Sequence, residues 1–460
     1  MILFIIVLVG LCFRLTNIIK TQGLWNDEYV SWMISATPFK NGFFEENGYK
    51  KWDTEYLFAE IINGLKMAKT LGKIPQSIGI DTWGVDYALL DKDDNLIDGV
   101  YAYRDSRTEK TIPAVHRKVP FAKFYARTGV AQAPYNTVYQ LYDDSIAGRM
   151  KKAQTFLMLP DYLHFLLTGI KKQEYSNATT TGLVNVITKD WDLDMIAELG
   201  YKKSLFKTLY KPGETVGGLK KEIREQIGYD TKVVLPATHD TASAIFATPL
   251  DEKTLFLSSG TWSILGAETD NALVDERSMK NGYSNEGGYD KRNALLTNIM
   301  GLWIIQQIRK ETGDKYTFAE LTEMARVNPI EEVINVNDTA FLAPENMTEA
   351  VHQKAGRKMS LGETAYCVFN SLALDYQRAV KAVEKTTGVK YKTLRIIGGG
   401  SQNGLLNELT KKYTGLKVTA GPTECTAIGN LLAQMLASGE IVNEKQGKKM
   451  IEKSFDVSNV

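Results

Sequence analysis

Runs of apolar and β-branched residues alternate along the chain with stretches of helical periodicity. The clearest runs are SIGIDTWGVDYALLD (77 to 91), KVVLPATHD (232 to 240), TLFLSSGTWSILG (254 to 266), TLRIIGGGSQNGLLNELTKKY (393 to 413) and KVTAGPTECTAIGNLLAQMLASG (417 to 439). This alternation is typical of an α/β protein. The last four runs place Gly, Thr, Ser or Asp where an apolar strand ends, which is where open α/β sheets build ligand sites.

The first residues do not follow this pattern. Met1 to Phe13 is almost wholly apolar and is followed by Arg14. The run is shorter than the ~20 residues that a membrane-spanning helix needs, and it lacks the basic start and the small-residue cleavage site of an export signal. We favour a buried first strand here, with an anchor or an export signal as the alternative.

Length and composition narrow the class of protein. A chain of 460 residues is too long for one core, so two domains are expected. The 55 Lys and Arg balance 54 Asp and Glu, which argues against nucleic acid or an anionic membrane as partner and favours a small-molecule substrate. Cys12, Cys367 and Cys425 are far apart, and the four histidines have no metal-ligand spacing, so neither disulfides nor a zinc site is expected. A reducing, cytoplasmic setting fits this composition.

Two turns are candidates for holding phosphate. Ile397 to Asn403 (IGGGSQN) follows a strand and opens a helix, so its backbone can approach a nucleotide closely. Ser258 to Trp262 (SSGTW) joins two apolar strands and offers hydroxyl and N–H groups. Taken alone, a glycine triplet such as the first segment is more often ordinary turn chemistry, and a hairpin capped by Ser and Thr explains the second segment equally well.

Two further segments carry candidate substrate residues. His239 to Ala244 (HDTASA) places Asp240 where a strand enters a helix of small residues, so its carboxylate is either a helix cap or a base that accepts a hydroxyl proton. Gly84 lies in Ile80 to Asp86 (IDTWGVD), where a glycine inside a strand indicates either a ligand contact or a bulge. Trp83 in the same segment covers a sugar face or belongs to the core.

In this order the motifs resemble the FGGY family of carbohydrate kinases. The resemblance extends from about Trp52 to the end of the chain, and it rests on the following segments: GIDTWGVDYALLD (79 to 91), AYRDSRT (102 to 108), NTVYQLYD (136 to 143), MLPDYLHFLLTG (158 to 169), NATTTGLVN (177 to 185), ATHDTASA (237 to 244), LSSGTWSILG (257 to 266), NIMGLWIIQ (298 to 306) and IIGGGSQN (396 to 403). The DTWGVD and YRDSRT segments are similar to the branch of the family that phosphorylates L-rhamnulose.

The resemblance implies two actin- or hexokinase-like (ribonuclease H-like) domains with a cleft between them. We expect an N-terminal, sugar-binding domain at residues 1–242, a C-terminal, nucleotide-binding domain at residues 243–460, and a hinge near residues 240 to 250. The implied reaction is ATP-dependent phosphorylation of L-rhamnulose at its C1 hydroxyl, with Mg²⁺ bridging the phosphates. The residues that the resemblance assigns are Asp240 as catalytic base, Gly84, His239, Asp240, Thr241 and Asn298 as sugar ligands, and Thr261, Gln306 and Gly399 as ATP ligands.

The chain departs from the family pattern at both ends. Family members begin with a phosphate loop resembling DxGASSGR, whereas the corresponding region here reads VGLCFRLTNII. Two compensating frameshifts or genuine divergence would each produce this difference, and both predict weakened binding of ATP and Mg²⁺. One alternative is therefore a degenerate kinase that binds sugar without efficient transfer. A separate alternative is a kinase for a related ketose such as L-fuculose or D-xylulose. The chain also stops at Val460, before the family's closing helix, which predicts truncation.

Overall fold

The computed structural model describes residues 3–7, 29–33, 43–342, 344–455 and 457–460. The strands, in chain order, are β1 (Leu3–Val7), β2 (Tyr29–Met33), β3 (Phe43–Glu46), β4 (Tyr49–Trp52), β5 (Ser77–Ile78), β6 (Tyr87–Leu90), β7 (Val100–Tyr101), β8 (Thr155–Met158), β9 (Gln173–Glu174), β10 (Val184–Asn185), β11 (Asp190–Trp191), β12 (Leu209–Tyr210), β13 (Thr215–Gly218), β14 (Lys232–Val234), β15 (Thr254–Ser259), β16 (Trp262–Thr269), β17 (Ser284–Gly287), β18 (Asn293–Met300), β19 (Thr393–Ile397), β20 (Lys417–Ala420) and β21 (Ser458–Asn459).

The helices between these strands are α1 (Thr54–Thr70), α2 (Ile112–Lys118), α3 (Phe121–Thr128), α4 (Thr137–Ile146), α5 (Arg149–Lys152), α6 (Leu159–Thr168), α7 (Tyr175–Ala178), α8 (Leu193–Leu199), α9 (Lys221–Ile227), α10 (Asp240–Ala247), α11 (Glu276–Lys280), α12 (Trp303–Glu311), α13 (Phe318–Arg326), α14 (Met347–Ala355), α15 (Leu361–Thr387), α16 (Gly404–Thr414), α17 (Cys425–Ser438) and α18 (Glu444–Ser454). Short 3₁₀ segments lie at Ser106–Thr108, Thr179–Thr181, Lys203–Leu205, Thr339–Phe341 and Gly399–Gln402. The alternation of strands and helices confirms the predicted α/β class.

The chain forms two compact units. Unit 1 runs to Pro249 and also contains Asp270–Ala294 and Thr426–Ser454, whereas unit 2 contains Leu250–Thr269, Leu295–Cys425 and Phe455–Val460. Each unit therefore consists of three segments of the chain, and the division into domains at residues 1–242 and 243–460 stays a prediction. The boundary expected between residues 242 and 243 falls inside α10.

Unit 1 packs several small sheets against helices. Strand β14 lies between β13 and β5, β4 lies between β3 and β7, and β6 pairs with β8. Helix α1 shows how the sequence builds this packing: Asp53 caps it by accepting a hydrogen bond from the Tyr56 N–H, and its buried face carries apolar residues at helical spacing. That face includes Leu57, Ile61 and Leu65 and joins the core that surrounds β5 and β14.

Unit 2 is organised around one sheet. Its strands lie in the order β18, β16, β15, β19, β20 and β21. The central strands β15, β19 and β20 are parallel, and β16 returns antiparallel to β15. Helix α15, which Ser360 and Glu363 begin with a capping box, is the longest helix of this unit. The parallel strands bring the segments after β15 and β19 to the same edge of the sheet.

Within the apolar segment Met1 to Phe13, the structure describes one element, the strand β1. Strand β1 pairs in parallel with β2. Leu11 to Asn17, within the region that corresponds to the family's phosphate loop, lie outside the described residues. Within the described ranges, no helix is long and apolar enough to cross a bilayer.

Candidate functional site

Two segments that are far apart in the sequence lie side by side in unit 1. Thr82 forms a parallel bridge with His239. The Thr82 N–H donates to the Thr238 carbonyl, and the Asp240 N–H donates to the Thr82 carbonyl, both at 2.9 Å. Because Gly84 follows Thr82 by two residues, this pairing brings the predicted residues Gly84, His239 and Asp240 into one neighbourhood.

Asp240 is the first residue of α10. Its Oδ1 accepts hydrogen bonds from the Thr241 N–H at 2.6 Å and the Thr241 hydroxyl at 3.2 Å. Among the described residues, the side-chain contacts with Thr241 and His239 all involve Oδ1, and the Asp240 side chain is 29% exposed. Asp240 thus satisfies one N–H of the helix start and still has a second oxygen available for a ligand. Both interpretations of the sequence, cap and base, are compatible with this geometry.

The charge next to Asp240 comes from His239 and Glu286. The His239 Nε2 lies 3.4 Å from the Asp240 Oδ1, and its Nδ1 lies 3.2 Å from the Glu286 Oε2. Burial by itself lowers the pKa of this imidazole, but the Glu286 and Asp240 carboxylates raise the pKa of His239 to about 9. His239 is therefore a cation at neutral pH, held between two carboxylates.

Burial has the opposite effect on the carboxyl group. It raises the pKa of Asp240 above its usual range, while His239 and the Thr241 hydrogen bonds lower the pKa by a smaller amount. A carboxylate with a raised pKa is a better proton acceptor than a solvated one. The site can therefore accept a proton from a bound hydroxyl group.

Glu286 was not predicted. It lies on β17, 46 positions after Asp240 in the sequence. The only local signal was an acidic residue directly before Gly287 and Gly288, in a strand of buried polar residues. Such a signal does not specify which histidine the carboxylate meets.

A second buried carboxylate fixes the backbone that enters the site. Glu174 accepts hydrogen bonds from the N–H and hydroxyl of Ser176, from the Asn177 N–H, and from the N–H and hydroxyl of Thr238. The Ser176 hydroxyl in turn accepts from the His239 N–H at 3.3 Å. These bonds hold the residues that precede Asp240, and sequence reasoning assigned Glu174 no role.

Asp81 is the third carboxylate of this region. It is fully buried, and its Oδ2 accepts a 2.6 Å hydrogen bond from the Asn430 amide on α17. Burial raises the pKa of Asp81 well above its usual range, and the charge of Asp240 contributes in the same direction. Asp81 lies in the IDTWGVD motif, from which no function was predicted for it, and Asn430 was not predicted.

The space beside Gly84 is occupied by protein. A Cβ at Gly84 would lie 2.8 Å from the Thr180 side chain, so a larger residue would require Thr180 to move. The glycine therefore serves a close approach within unit 1. A sugar contact at Gly84 stays a prediction. Because the Thr180 side chain occupies the space next to the Gly84 Cα, the Gly84 backbone would have to provide that contact.

In unit 2 the predicted ATP ligands cluster at the ends of β15 and β19. The Thr261 hydroxyl donates to the Gln306 amide oxygen at 3.3 Å. Gly399 begins the 3₁₀ segment after β19, and a Cβ at its neighbour Gly400 would lie 2.0 Å from the Ser259 hydroxyl and 3.0 Å from the Ser259 carbonyl. Only glycine lets these two turns approach each other so closely.

A cavity of about 530 Å³ adjoins this turn. Its lining includes Ser401, Gln402, Asn407, Gly421 and Thr423. These residues follow the ends of β19 and β20 or begin the helices after them, where backbone N–H groups and short polar side chains are available to a ligand. Ser401 and Gln402 belong to the IGGGSQN motif, but no individual role was predicted for any of these five residues.

Asn298 belongs to a different unit from the other predicted sugar ligands. It is an exposed residue of β18 in unit 2, whereas Gly84, His239, Asp240 and Thr241 belong to unit 1. Its assignment to the sugar remains a prediction.

Two family models match most of the chain. Residues 34–247 match the N-terminal domain, and residues 255–438 the C-terminal domain, of the FGGY family of carbohydrate kinases. Both matched regions lie after the atypical first residues.

Curated relatives cover nearly the same length. The chain is 41% identical to a rhamnulokinase of Oceanobacillus iheyensis and 44% identical to one of Halalkalibacterium halodurans, in each case over 91% of this chain and 91% of the relative.

Solved structures show the same two-domain fold at low sequence identity. A xylulose kinase of Lactobacillus acidophilus superposes with a TM-score of 0.76 at 16% identity, covering 91% of this chain and 86% of that one. A glycerol kinase of Plasmodium falciparum with ADP gives 0.73 at 15% identity, covering 90% and 87%. The predicted two-domain kinase fold is thereby confirmed.

Proposed function

The chain belongs to the FGGY family of carbohydrate kinases, and we propose that it transfers the γ-phosphoryl group of ATP to the C1 hydroxyl of L-rhamnulose. The product is L-rhamnulose 1-phosphate. The long, even similarity to rhamnulokinases supports this acceptor over L-fuculose, D-xylulose or glycerol. A reducing cytoplasm is the compartment we propose, and the buried free thiols of Cys367 and Cys425 are compatible with it.

The arrangement of Asp240 is the observation that supports this chemistry most directly. Thr241 and His239 engage Oδ1, so Oδ2 is the oxygen that meets the acceptor hydroxyl. In the proposed reaction Oδ2 takes the hydroxyl proton as the oxygen attacks the γ-phosphorus, and the bond between that phosphorus and the bridging oxygen of ADP breaks. A positioned base of this kind contributes roughly 10²- to 10⁴-fold to the rate.

His239 and Glu286 act on this step through charge and position. The Glu286 carboxylate keeps His239 protonated, and the imidazolium lies 3.4 Å from Asp240. A cation at this distance keeps Asp240 ionised before the transfer and is a donor for an oxygen of the sugar. We therefore assign His239 and Thr241 to the sugar, with Glu286 as a positioning residue for His239.

Unit 2 supplies the residues we assign to ATP. Thr261 and Gln306 meet through their side chains, and the Gly398–Gly400 turn lies against Ser259 beside the cavity of about 530 Å³. The dense backbone N–H groups and short hydroxyls of these turns suit phosphate and ribose oxygens. Gly399 is the turn residue assigned to the nucleotide.

Magnesium fits the donors of this site. Mg²⁺ typically takes one or two carboxylates and completes its shell with waters and substrate phosphates. Asp240 and Asp81 are hard oxygen donors of the right kind, and Asp81 Oδ1 has no hydrogen-bond partner among the described atoms. When bound, the ion would neutralise charge on the phosphates, as in other phosphoryl transfers.

A coupled assay that measures ADP release tests the proposal. L-Rhamnulose, L-fuculose, D-xylulose and glycerol are compared as acceptors, and the phosphorylated carbon is located by ³¹P and ¹³C NMR. We expect the highest kcat/KM with L-rhamnulose and phosphate on C1. Faster turnover of another acceptor, or phosphate on another carbon, would contradict the proposal.

A further inference from the structure

Asp86 is a buried carboxylate that holds two tryptophans. Its Oδ2 accepts hydrogen bonds from the indole N–H of Trp52 at 2.6 Å and of Trp83 at 2.8 Å. The Tyr103 N–H also donates to Oδ2, and the Gln140 amide donates to Oδ1, each at 3.2 Å. Asp86 is fully buried, and burial raises its pKa to about 6 even with these donors present. Burying a carboxylate is costly, so this arrangement indicates that the orientation of the two indoles matters.

The backbone next to Asp86 is also strained, and this strain helps to position the Asp86 carboxylate. Val85 has a φ of +69°, a conformation that β-branched residues rarely adopt. Its N–H donates to the Thr180 hydroxyl at 3.0 Å, and its carbonyl accepts from the Thr137 hydroxyl at 2.6 Å. The turn at Val85 brings the Asp86 carboxylate back to the Trp83 indole, three residues earlier in the chain.

The two indoles belong to a half-buried group that we call the aromatic cluster: Trp52, Trp83, Tyr103 and Tyr135. The ring centroids of Trp52 and Trp83 are 4.3 Å apart, Trp52 and Tyr103 are 6.3 Å apart, and Tyr103 and Tyr135 are 6.1 Å apart. Because Asp86 takes both indole N–H groups, the indoles offer a ligand their apolar faces rather than their donors.

The aromatic cluster lies next to the proposed base. Trp83 follows Thr82, which pairs with His239 and whose carbonyl accepts a hydrogen bond from the Asp240 N–H. With paired strands about 5 Å apart and successive Cα atoms about 4 Å apart, Trp83 is within about one sugar length of Asp240. Tyr103 is close enough that the charges of Asp86 and Asp240 add to the effect of burial in raising its pKa.

We propose that the aromatic cluster is the specificity element of the site, and that it receives the methyl end of a 6-deoxy ketose whose C1 hydroxyl faces Asp240. The inference rests on the proposed function. L-Rhamnulose has a reacting hydroxyl at C1 and a methyl group at C6. The charged region around Asp240 matches the C1 end, and the aromatic cluster matches the methyl end. L-Fructose is identical except for a hydroxyl on C6, and that hydroxyl would lose water against the cluster without gaining a donor or acceptor.

The test compares binding of L-rhamnulose and L-fructose by calorimetry. We expect the parent protein to prefer L-rhamnulose by roughly 10- to 200-fold, the range for one small group in an apolar pocket. Trp52→Ala should reduce that preference to a few-fold by weakening L-rhamnulose binding. Trp52→Phe keeps an aromatic face without the N–H and should retain most of the preference. Ile187→Ala, which truncates an exposed apolar side chain of unit 1, should change neither affinity.

The possible outcomes separate the two hypotheses. Equal binding of both sugars by the parent, or an equal loss for both in Trp52→Ala, would overturn the specificity inference and leave phosphorylation of L-rhamnulose intact. A Trp52-dependent preference in a protein that does not phosphorylate L-rhamnulose would support the cluster's role and contradict the proposed function. If Trp52→Ala does not fold, Trp52→Leu and Asp86→Asn provide the same comparison, with Asp86→Asn expected to weaken the preference by loosening both indoles.

Discussion

The two units build their candidate sites from different materials. In unit 1 the site consists of ionisable side chains in contact or linked by charge: Asp81, Glu174, His239, Asp240 and Glu286. In unit 2 it consists of a glycine turn, short hydroxyls and an amide at the ends of parallel strands. The candidate site of unit 1 thus contains buried ionisable side chains, whereas that of unit 2 contains a cavity and backbone N–H groups.

This difference follows from what each side would have to do in a kinase. The acceptor side must move a proton, and only a titratable group with a tuned pKa does that. The nucleotide side must hold phosphates in place, which fixed dipoles do without changing protonation state. Substitutions at the site residues described above should therefore affect catalysis and pH dependence in unit 1, and ATP affinity in unit 2; the N-terminal segment that takes the place of the family's phosphate loop is expected to act on ATP as well.

Of the variants proposed here, Asp240→Asn should produce the largest change in turnover. The amide keeps the shape of the side chain and its hydrogen bonding but cannot take a proton, so kcat should fall by about 10²- to 10⁴-fold. L-Rhamnulose affinity, measured by calorimetry, should change little. Asp230→Asn on the surface of unit 1 is the control. Turnover within a few-fold of the parent would show that Asp240 acts only at the helix start.

Replacing the segment around Leu11 to Asn17 with DxGASSGR sharpens the contrast from the nucleotide side. The present residues offer neither a carboxylate nor a pair of hydroxyls for phosphate. Restored phosphate contacts should raise ATP affinity and turnover by roughly 10²-fold, the scale of one preorganised donor in a charged transition state. Sugar affinity should stay the same. Equal ATP affinity and equal turnover in the two proteins would refute the importance of this segment.

Gly400→Ala tests the glycine turn of unit 2. The new Cβ would lie 2.0 Å from the Ser259 hydroxyl and 3.0 Å from the Ser259 carbonyl, so the turn has to shift. We expect KM for ATP to rise by about tenfold or more, with L-rhamnulose affinity unchanged. Ser259→Gly removes part of the clash, and combining it with Gly400→Ala should recover part of the loss. Gly399→Val should also weaken ATP binding, whereas global unfolding of either variant would assign the turn to stability.

Among these variants, Glu286→Gln should give the smallest change in turnover, and it should give the clearest pH dependence of stability. His239 has a folded pKa of about 9, above the ~6.5 of an unfolded histidine, so its contribution to stability is complete below about pH 6.5 and is lost as the pH rises through 9. Glu286 is the first of the carboxylates that raise this pKa, followed by Asp240 and Glu174, so the parent should exceed Glu286→Gln in stability near pH 6, by about 1.4 kcal/mol for each pKa unit that His239 loses, and by less toward pH 10.

Urea unfolding at several pH values measures that difference. Glu225→Gln, on an exposed side chain, should follow the parent at every pH. His164 serves as an internal comparison, because burial lowers its pKa to about 3 and its effect is a loss of stability as the pH falls below about 6.5. That acid-side loss should be the same in the parent and in Glu286→Gln. A constant difference between them from pH 6 to pH 10 would contradict the charged state of His239.

Local patterns in the sequence account for several features of the site. The alternation of apolar runs and helical periodicity specified the α/β class. The HDTASA segment specified a carboxylate at a helix start, and the IGGGSQN and SSGTW segments specified tight turns at strand ends. Each of these depends on residues within a few positions of one another, where backbone preferences and side-chain period act directly.

Only the tertiary structure decided which distant groups meet. Glu286 reaches His239 because β17 passes the start of α10, and Asn430 reaches Asp81 across 349 residues of sequence. The exchange of segments between the two units and the seating of Trp52 on Asp86 depend in the same way on the path of the chain. Periodicity tells which face of an element is buried, but it carries no information about the partner on the other side. The pKa values that make His239 a cation and Asp240 a base arise from those partners and from burial, so they too belong to the folded chain alone.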